Sequence, residues 1–243
     1  MPDAIHENGG VAVPARKRHR LRVTLIVGIV VLILLPLGLL GWTGLYNIPV
    51  ISALFGTNKP IDLGVHPTEA DLASAKADNP MTVSAETGEF RWTRNKSFSG
   101  SVPIDDVHTS EEVTAFITAY HGDGGNVRDI QVKFRPGGME ISAFVVPYVK
   151  APAYVNIDVA RTSANSVSLN LQSAKLGRLT VPERYYDEIE DAAERILNRE
   201  IASVNGFSIE ELIYGDNTAT LRGTLPETVN LEPGEQDLES LLE

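Results

Sequence analysis

In Ile130-Gln131-Val132-Lys133-Phe134-Arg135-Pro136-Gly137-Gly138-Met139-Glu140-Ile141-Ser142-Ala143-Phe144-Val145, apolar Ile130, Val132 and Phe134 alternate with polar Gln131, Lys133 and Arg135. Beyond Pro136-Gly137-Gly138, Met139, Ile141, Ala143 and Val145 alternate back. A period of two sends successive side chains to opposite faces of a strand, so the pattern specifies a β-hairpin with one apolar face. The same period continues in 155–159, in 166–172, where Val167, Leu169 and Leu171 form one row, and in 176–181. A last hairpin is expected over 207–214 and 218–225, turned by Gly215-Asp216-Asn217 and stopped by Pro226.

Helical spacing interrupts the strands. Pro182 at a first helical position opens the longest helix, expected over 183–204, where Tyr185, Ile189, Ala193, Ile196, Leu197, Ile201 and Val204 recur at three and four and Asn205-Gly206 supplies the cap. Upstream, Thr109-Ser110-Glu111-Glu112 starts a helix that runs through Val113, Phe116, Ile117 and Tyr120. Thr68-Glu69-Ala70-Asp71 starts a shorter one over 66–77, and one or two strands are expected in 87–102. Strands joined by hairpins, with helices set apart, indicate an α+β domain with an antiparallel sheet. The apolar face of that sheet needs a cover, and the 183–204 helix, roughly 33 Å long, is the best candidate.

Nearer the start, 23–45 reads VTLIVGIVVLILLPLGLLGWTGL, 23 residues without a charge. As a helix it would extend roughly 34 Å, enough for a bilayer core, and it is longer than the apolar region of a cleaved signal. Arg16, Lys17, Arg18, Arg20 and Arg22 precede it and set the expected topology, while Trp42 and Tyr46 are placed for the far interface. The expected localisation is therefore the cell membrane, single-pass, with a cytoplasmic N-terminus and an extracytoplasmic C-terminal domain. The divisions are a basic cytoplasmic tail (1–22), the transmembrane helix (23–45), a juxtamembrane segment with a short helix (46–86), the extracytoplasmic α+β domain (87–226) and an acidic flexible tail (227–243). In full, the fold expected is α+β, an N-terminal transmembrane helix followed by a curved antiparallel sheet packed on a long amphipathic helix.

Charge and composition exclude several function classes. Residues 1–22 carry a net +3 against −11 for the whole chain, which leaves −14 on everything beyond. Such a body repels phosphate backbones and has no basic stripe, so nucleic acid is not an expected partner. The absence of cysteine removes disulfides, thiolate metal sites and thiol nucleophiles. His6, His19, His66, His108 and His121 include no pair at the i, i+4 spacing of a helical zinc site. The loop His121-Gly122-Asp123-Gly124-Gly125-Asn126 lacks an accompanying nucleophile elbow, Walker lysine or dinucleotide fingerprint and reads as a helix end. Asp105, Asp106, Glu111 and Glu112 sit where a helix begins and read as dipole partners before they read as catalytic acids. No catalytic residue, metal or cofactor is expected, and the protein is not expected to be an enzyme.

The apolar material then leaves two arrangements open. Helix face and strand rows either meet as a dry core, or a curved sheet around the long helix leaves a tubular apolar cavity that holds a lipid tail. In the second arrangement Ile189, Ala193, Ile196, Leu197 and Ile201 line the groove opposite Val167, Leu169 and Leu171.

Several segments carry a likeness: the N-terminal anchor, Ile48-Pro49-Val50-Ile51-Ser52, Asp62-Leu63-Gly64-Val65, Thr109 to Val113, Ser173-Ala174-Lys175-Leu176-Gly177-Arg178-Leu179-Thr180-Val181-Pro182, and Leu221-Arg222-Gly223-Thr224-Leu225-Pro226. Together they resemble YpmS-like single-pass bacterial envelope proteins. The long helix followed by a hairpin is more distantly similar to tubular lipid-binding domains. The resemblance implies a bacterial surface location and a non-catalytic domain that binds a lipid or other apolar ligand, with the bilayer and a lipid or envelope protein as partners. The alternative expectation is an envelope scaffold or adaptor that recruits a protein partner and has a fully packed core.

Overall fold

The computed structural model describes Thr43, Ser52 and residues 57–84, 96–121, 127–146 and 150–231. The chain divides into two units, Met1–Leu40 and Gly41–Glu243, and all described residues belong to the second. In chain order the elements are α1 (Glu69–Ala77), β1 (Thr82–Ser84), β2 (Lys96–Ser99), β3 (Val102–Thr109), α2 (Ser110–His121), β4 (Val127–Arg135), β5 (Gly138–Val145) and β6 (Ala151–Ser163). They continue with β7 (Ser166–Leu176), β8 (Leu179–Thr180), a 3-10 turn (Glu183–Tyr185), α3 (Tyr186–Ser203), β9 (Ser208–Tyr214), β10 (Thr218–Leu225) and β11 (Thr228–Leu231).

Strands β4 to β8 form an antiparallel meander in chain order. Its register follows the hydrophobic alternation: Phe134 lies opposite Met139, Met139 opposite Ile157, and Ile157 opposite Leu171. One apolar row therefore crosses four strands. A bulge in β7 beside Asn156 and Ile157 inserts an extra residue. It switches the alternation, so that Leu171 and Ala174, an odd and an even position, both join Ile157 in one buried cluster. The β4–β5 turn needs its glycines: Gly137 has φ +87°, and a Cβ on Gly138 would stand 2.1 Å from the Ile157 carbonyl oxygen. A second antiparallel sheet has the order β3-β10-β9, and a third places β11 between β1, to which it is parallel, and β2.

Helices cover the edges of the five-stranded sheet, and they do so with polar side chains. On α2, buried Ser110 Oγ accepts from Phe134 N–H (2.9 Å), and buried Thr114 Oγ1 accepts from Val132 N–H (3.0 Å) and donates to Val132 O (3.2 Å). On α3, Glu190 Oε1 accepts from Leu171 N–H (2.5 Å), Glu194 Oε1 from Leu169 N–H (2.6 Å) and Asn198 Oδ1 from Val167 N–H (2.9 Å), while Asn198 Nδ2 donates to Val167 O. Four helical residues rise about 6 Å and two strand residues about 6.8 Å, so an i, i+4 row on a helix matches alternate residues of a strand beside it. The unpaired backbone groups of β4 and of β7 are satisfied in this way.

Two expectations are corrected by these findings. The fold is mostly sheet, in three separate sheets, instead of one curved sheet wrapped on a helix. The long helix lies along the open edge of β7, because Glu190, Glu194 and Asn198 supply what that edge lacks, and no α3 residue is fully buried. Strand β11 also extends the fold past Pro226 into the stretch read as tail. Among the described residues no helix is long and apolar enough to cross a membrane, which stands against the transmembrane helix of the expected fold and the single-pass localisation built on it. Segment 23–45 itself lies outside the described residues except for Thr43, whose carbonyl oxygen accepts from Arg178 N–H at 2.8 Å, in the turn between β7 and β8.

Candidate functional site

Local sequence places a set of apolar side chains around one void. On α2, Phe116 and Tyr120 are one helical turn apart, so their rings meet, with centroids 4.6 Å apart. Leu197 and Ile201 on α3 and its C-cap residue Val204 recur at four and three and line the same space. Phe98 of β2 lies opposite Val229 of β11, which is 1% exposed. Met81 before β1, Phe207 before β9, and Leu225 and Pro226 at the end of β10 complete the wall. The cavity they line is open to solvent on one side and has a volume of about 400 Å³. That lies at the lower end of the range for small-molecule sites, and the predominance of aromatic and aliphatic groups is typical of them.

Few polar groups reach this cavity. Lys96 lines it, with its ammonium pKa pushed down by burial and partly restored by the charge of Glu200. Asn79, Glu200 and Ser203 are the other polar members. A smaller depression of about 150 Å³ shares Asn79, Met81, Phe116 and Leu225 with the cavity and so adjoins it. Its remaining lining includes Asp78, Asp106, His108 and Glu112. Burial acts to raise the Glu112 carboxyl, but hydrogen bonds from Ser74 and Thr109 outweigh it and hold the group below the usual carboxylate range. Asp78 caps the C-terminus of α1.

The expected groove residues come to three places. Leu197 and Ile201 line the cavity. Val167 and Leu171 are buried in the five-stranded sheet, with Leu169 packed against the same cluster as Leu171. Ile189 and Ile196 point outward, 40% and 56% exposed, and Ala193 is half-buried on α3. Trp42, Tyr46, Arg16, Lys17, Arg18, Arg20 and Arg22 lie outside the described residues, as do residues 122–126 and the side chain of His121.

Three of the four acids around the start of α2 have structural partners. Asp105 accepts from Arg222 Nε at 2.8 Å, and Glu111 accepts from Asn217 Nδ2 at 2.9 Å. Glu112 accepts from Thr109 N–H while Thr109 Oγ1 accepts from Glu112 N–H, a reciprocal cap. Among the described residues no group of three or more His, Asp or Glu side chains is placed to hold a metal ion.

Sequence reasoning missed Met81, Phe98, Phe207 and Val229 as cavity residues, and placed Phe116 and Tyr120 on a helix without assigning them to a site. One signal was available: Thr228-Val229-Asn230-Leu231 alternates beyond Pro226 and reads as a strand. Compared with known proteins, the chain matches no family model, no curated protein and no solved structure.

Proposed function

We propose that this domain is a non-catalytic binding module that holds a lipid tail or another small apolar ligand. The observation that carries the reading is the cavity of about 400 Å³ between α2, the C-terminal half of α3 and the β1-β11-β2 sheet, walled by Phe98, Phe116, Tyr120, Leu197, Ile201 and Phe207. An apolar occupant of such a cavity leaves water and gains dispersion contacts with the apolar walls. Glu112 is engaged in a helix cap, Asp105 in an ion pair and Glu111 in a hydrogen bond with Asn217, which fits a site that binds without reacting.

The test uses the full chain. Native mass spectrometry followed by solvent extraction identifies any co-purified ligand, and an apolar fluorescent probe is titrated into the extracted protein. Leu197→Trp and Ile201→Phe fill the void and are expected to weaken probe binding at least tenfold while retaining the wild-type circular dichroism. Probe binding unchanged by both fillings would refute the reading.

A second reading, recruitment of a protein partner, is favoured by the outward apolar residues Tyr185, Ile189 and Ile196 on α3, which are 43%, 40% and 56% exposed. It predicts that Ile189→Asp with Ile196→Asp abolishes partner capture and leaves probe affinity at the wild-type value.

A further inference from the structure

The surroundings of the cavity select for charge as well as for apolarity. We infer that the preferred ligand is a lipophilic organic cation, its apolar body in the larger cavity and its ammonium head toward the adjoining depression; this rests on the apolar-ligand reading of the same cavity. The aromatic lining and the acidic depression each favour it.

Four aromatic rings, those of Phe98, Phe116, Tyr120 and Phe207, line the void. Ring faces carry negative quadrupole potential and attract alkylammonium groups at short range. Lys76 already uses one of them, its Nζ standing 5.7 Å over the Tyr120 ring. The depression, which meets the cavity at Phe116, presents Asp78, Asp106 and Glu112, with His108 beside them, and has neither Lys nor Arg in its lining. The C-terminus of α1 ends at Asp78, so the negative end of that helix dipole adds to the carboxylates instead of opposing them. Lys96 and Glu200, of opposite sign, both line the larger cavity, so its own charged lining adds no net attraction for an anionic head. At the depression a fatty carboxylate would therefore meet the repulsion of three carboxyl groups where an alkylammonium meets their attraction.

The experiment titrates the extracted full-length protein with three ligands of matched chain length, octyltrimethylammonium, octanol and octanoate, by isothermal calorimetry at low and high salt. Expected is one-to-one binding in the order cation, alcohol, carboxylate, with the cation at least tenfold tighter than the alcohol and the gap narrowing in high salt. Asp78→Asn with Asp106→Asn is expected to bring the cation-to-alcohol ratio down by severalfold. Equal affinity for cation and alcohol, preference for the carboxylate, or unsaturable cation uptake overturns the inference and leaves the apolar-ligand reading standing. No binding of any of the three overturns both.

Discussion

Ser142 and Thr114 are both buried hydroxyl residues, 0% and 1% exposed, and they differ in whether the oxygen has a partner. Ser142 Oγ makes no hydrogen bond, whereas Thr114 Oγ1 makes two to Val132. An unpaired buried hydroxyl costs about 1–3 kcal/mol, and removing a paired one leaves its partners stranded at a similar cost. Ser142→Ala is therefore expected to stabilise the domain by about 1 kcal/mol and Thr114→Val to destabilise it by about 1–3 kcal/mol, in chemical denaturation. Tyr214, packed against Phe134 with ring centroids 5.8 Å apart, adds a pH dependence. Burial pushes its phenol up to about 12 from 10.0. The folded state then holds the proton more tightly than the unfolded state. Its contribution is complete below pH about 10 and is lost as pH rises toward about 12, an order-of-magnitude loss of about 2–3 kcal/mol. Phenolate absorbance during alkaline titration reports it, and Tyr214→Phe flattens that part of the stability profile.

At the scale of elements, the hairpins were legible because period-two alternation has one structural solution once a turn is fixed. Val132 facing Ile141 and Ala219 facing Tyr214 follow from the letters of the sequence. The packing of helix α3 was not, although its existence and length were. Its apolar positions suggested that Ile189 and Ile196 face the sheet, yet both point outward. The competing demand came from the edge of β7, whose backbone N–H groups at Val167, Leu169 and Leu171 need acceptors. Three stranded donors would cost about 1–3 kcal/mol each, which matches or exceeds the roughly 1.5–3 kcal/mol gained by burying an isoleucine. Polar positions on an amphipathic helix were read as solvent-facing, and no single-sequence pattern announces that they meet a strand edge. Glu194→Ala is accordingly expected to cost about 1–2 kcal/mol and to speed hydrogen exchange at Leu169 more than at Val132, while Glu194→Gln, which keeps an acceptor, changes little. Uniform protection across these amides would contradict the arrangement.

For the whole molecule, the end of the described chain closes the fold. Strand β11 pairs in parallel with β1, and parallel neighbours demand a long crossover, here supplied by nearly everything between them. Val229 of β11 is also part of the cavity wall. A chain ended at Pro226 is expected to lose probe binding and to melt at a lower temperature, and one ended at Leu231 to keep both. The cavity was hidden from sequence analysis for a related reason: its walls come from elements spread over the chain, and no local period connects Phe98, Phe116, Phe207 and Val229. The helix caps on the meander have a further consequence. A sheet with an open edge is a template on which another chain can add a strand, and natural proteins obstruct such edges. Here α3 obstructs β7 while burying no residue fully, so its detachment costs less than unfolding the sheet. Intermolecular strand addition would then begin from a chain that is still folded. Fibril formation in stored protein would track the opening of this one helix, and Glu190→Ala with Glu194→Ala would accelerate it at temperatures well below the melting transition.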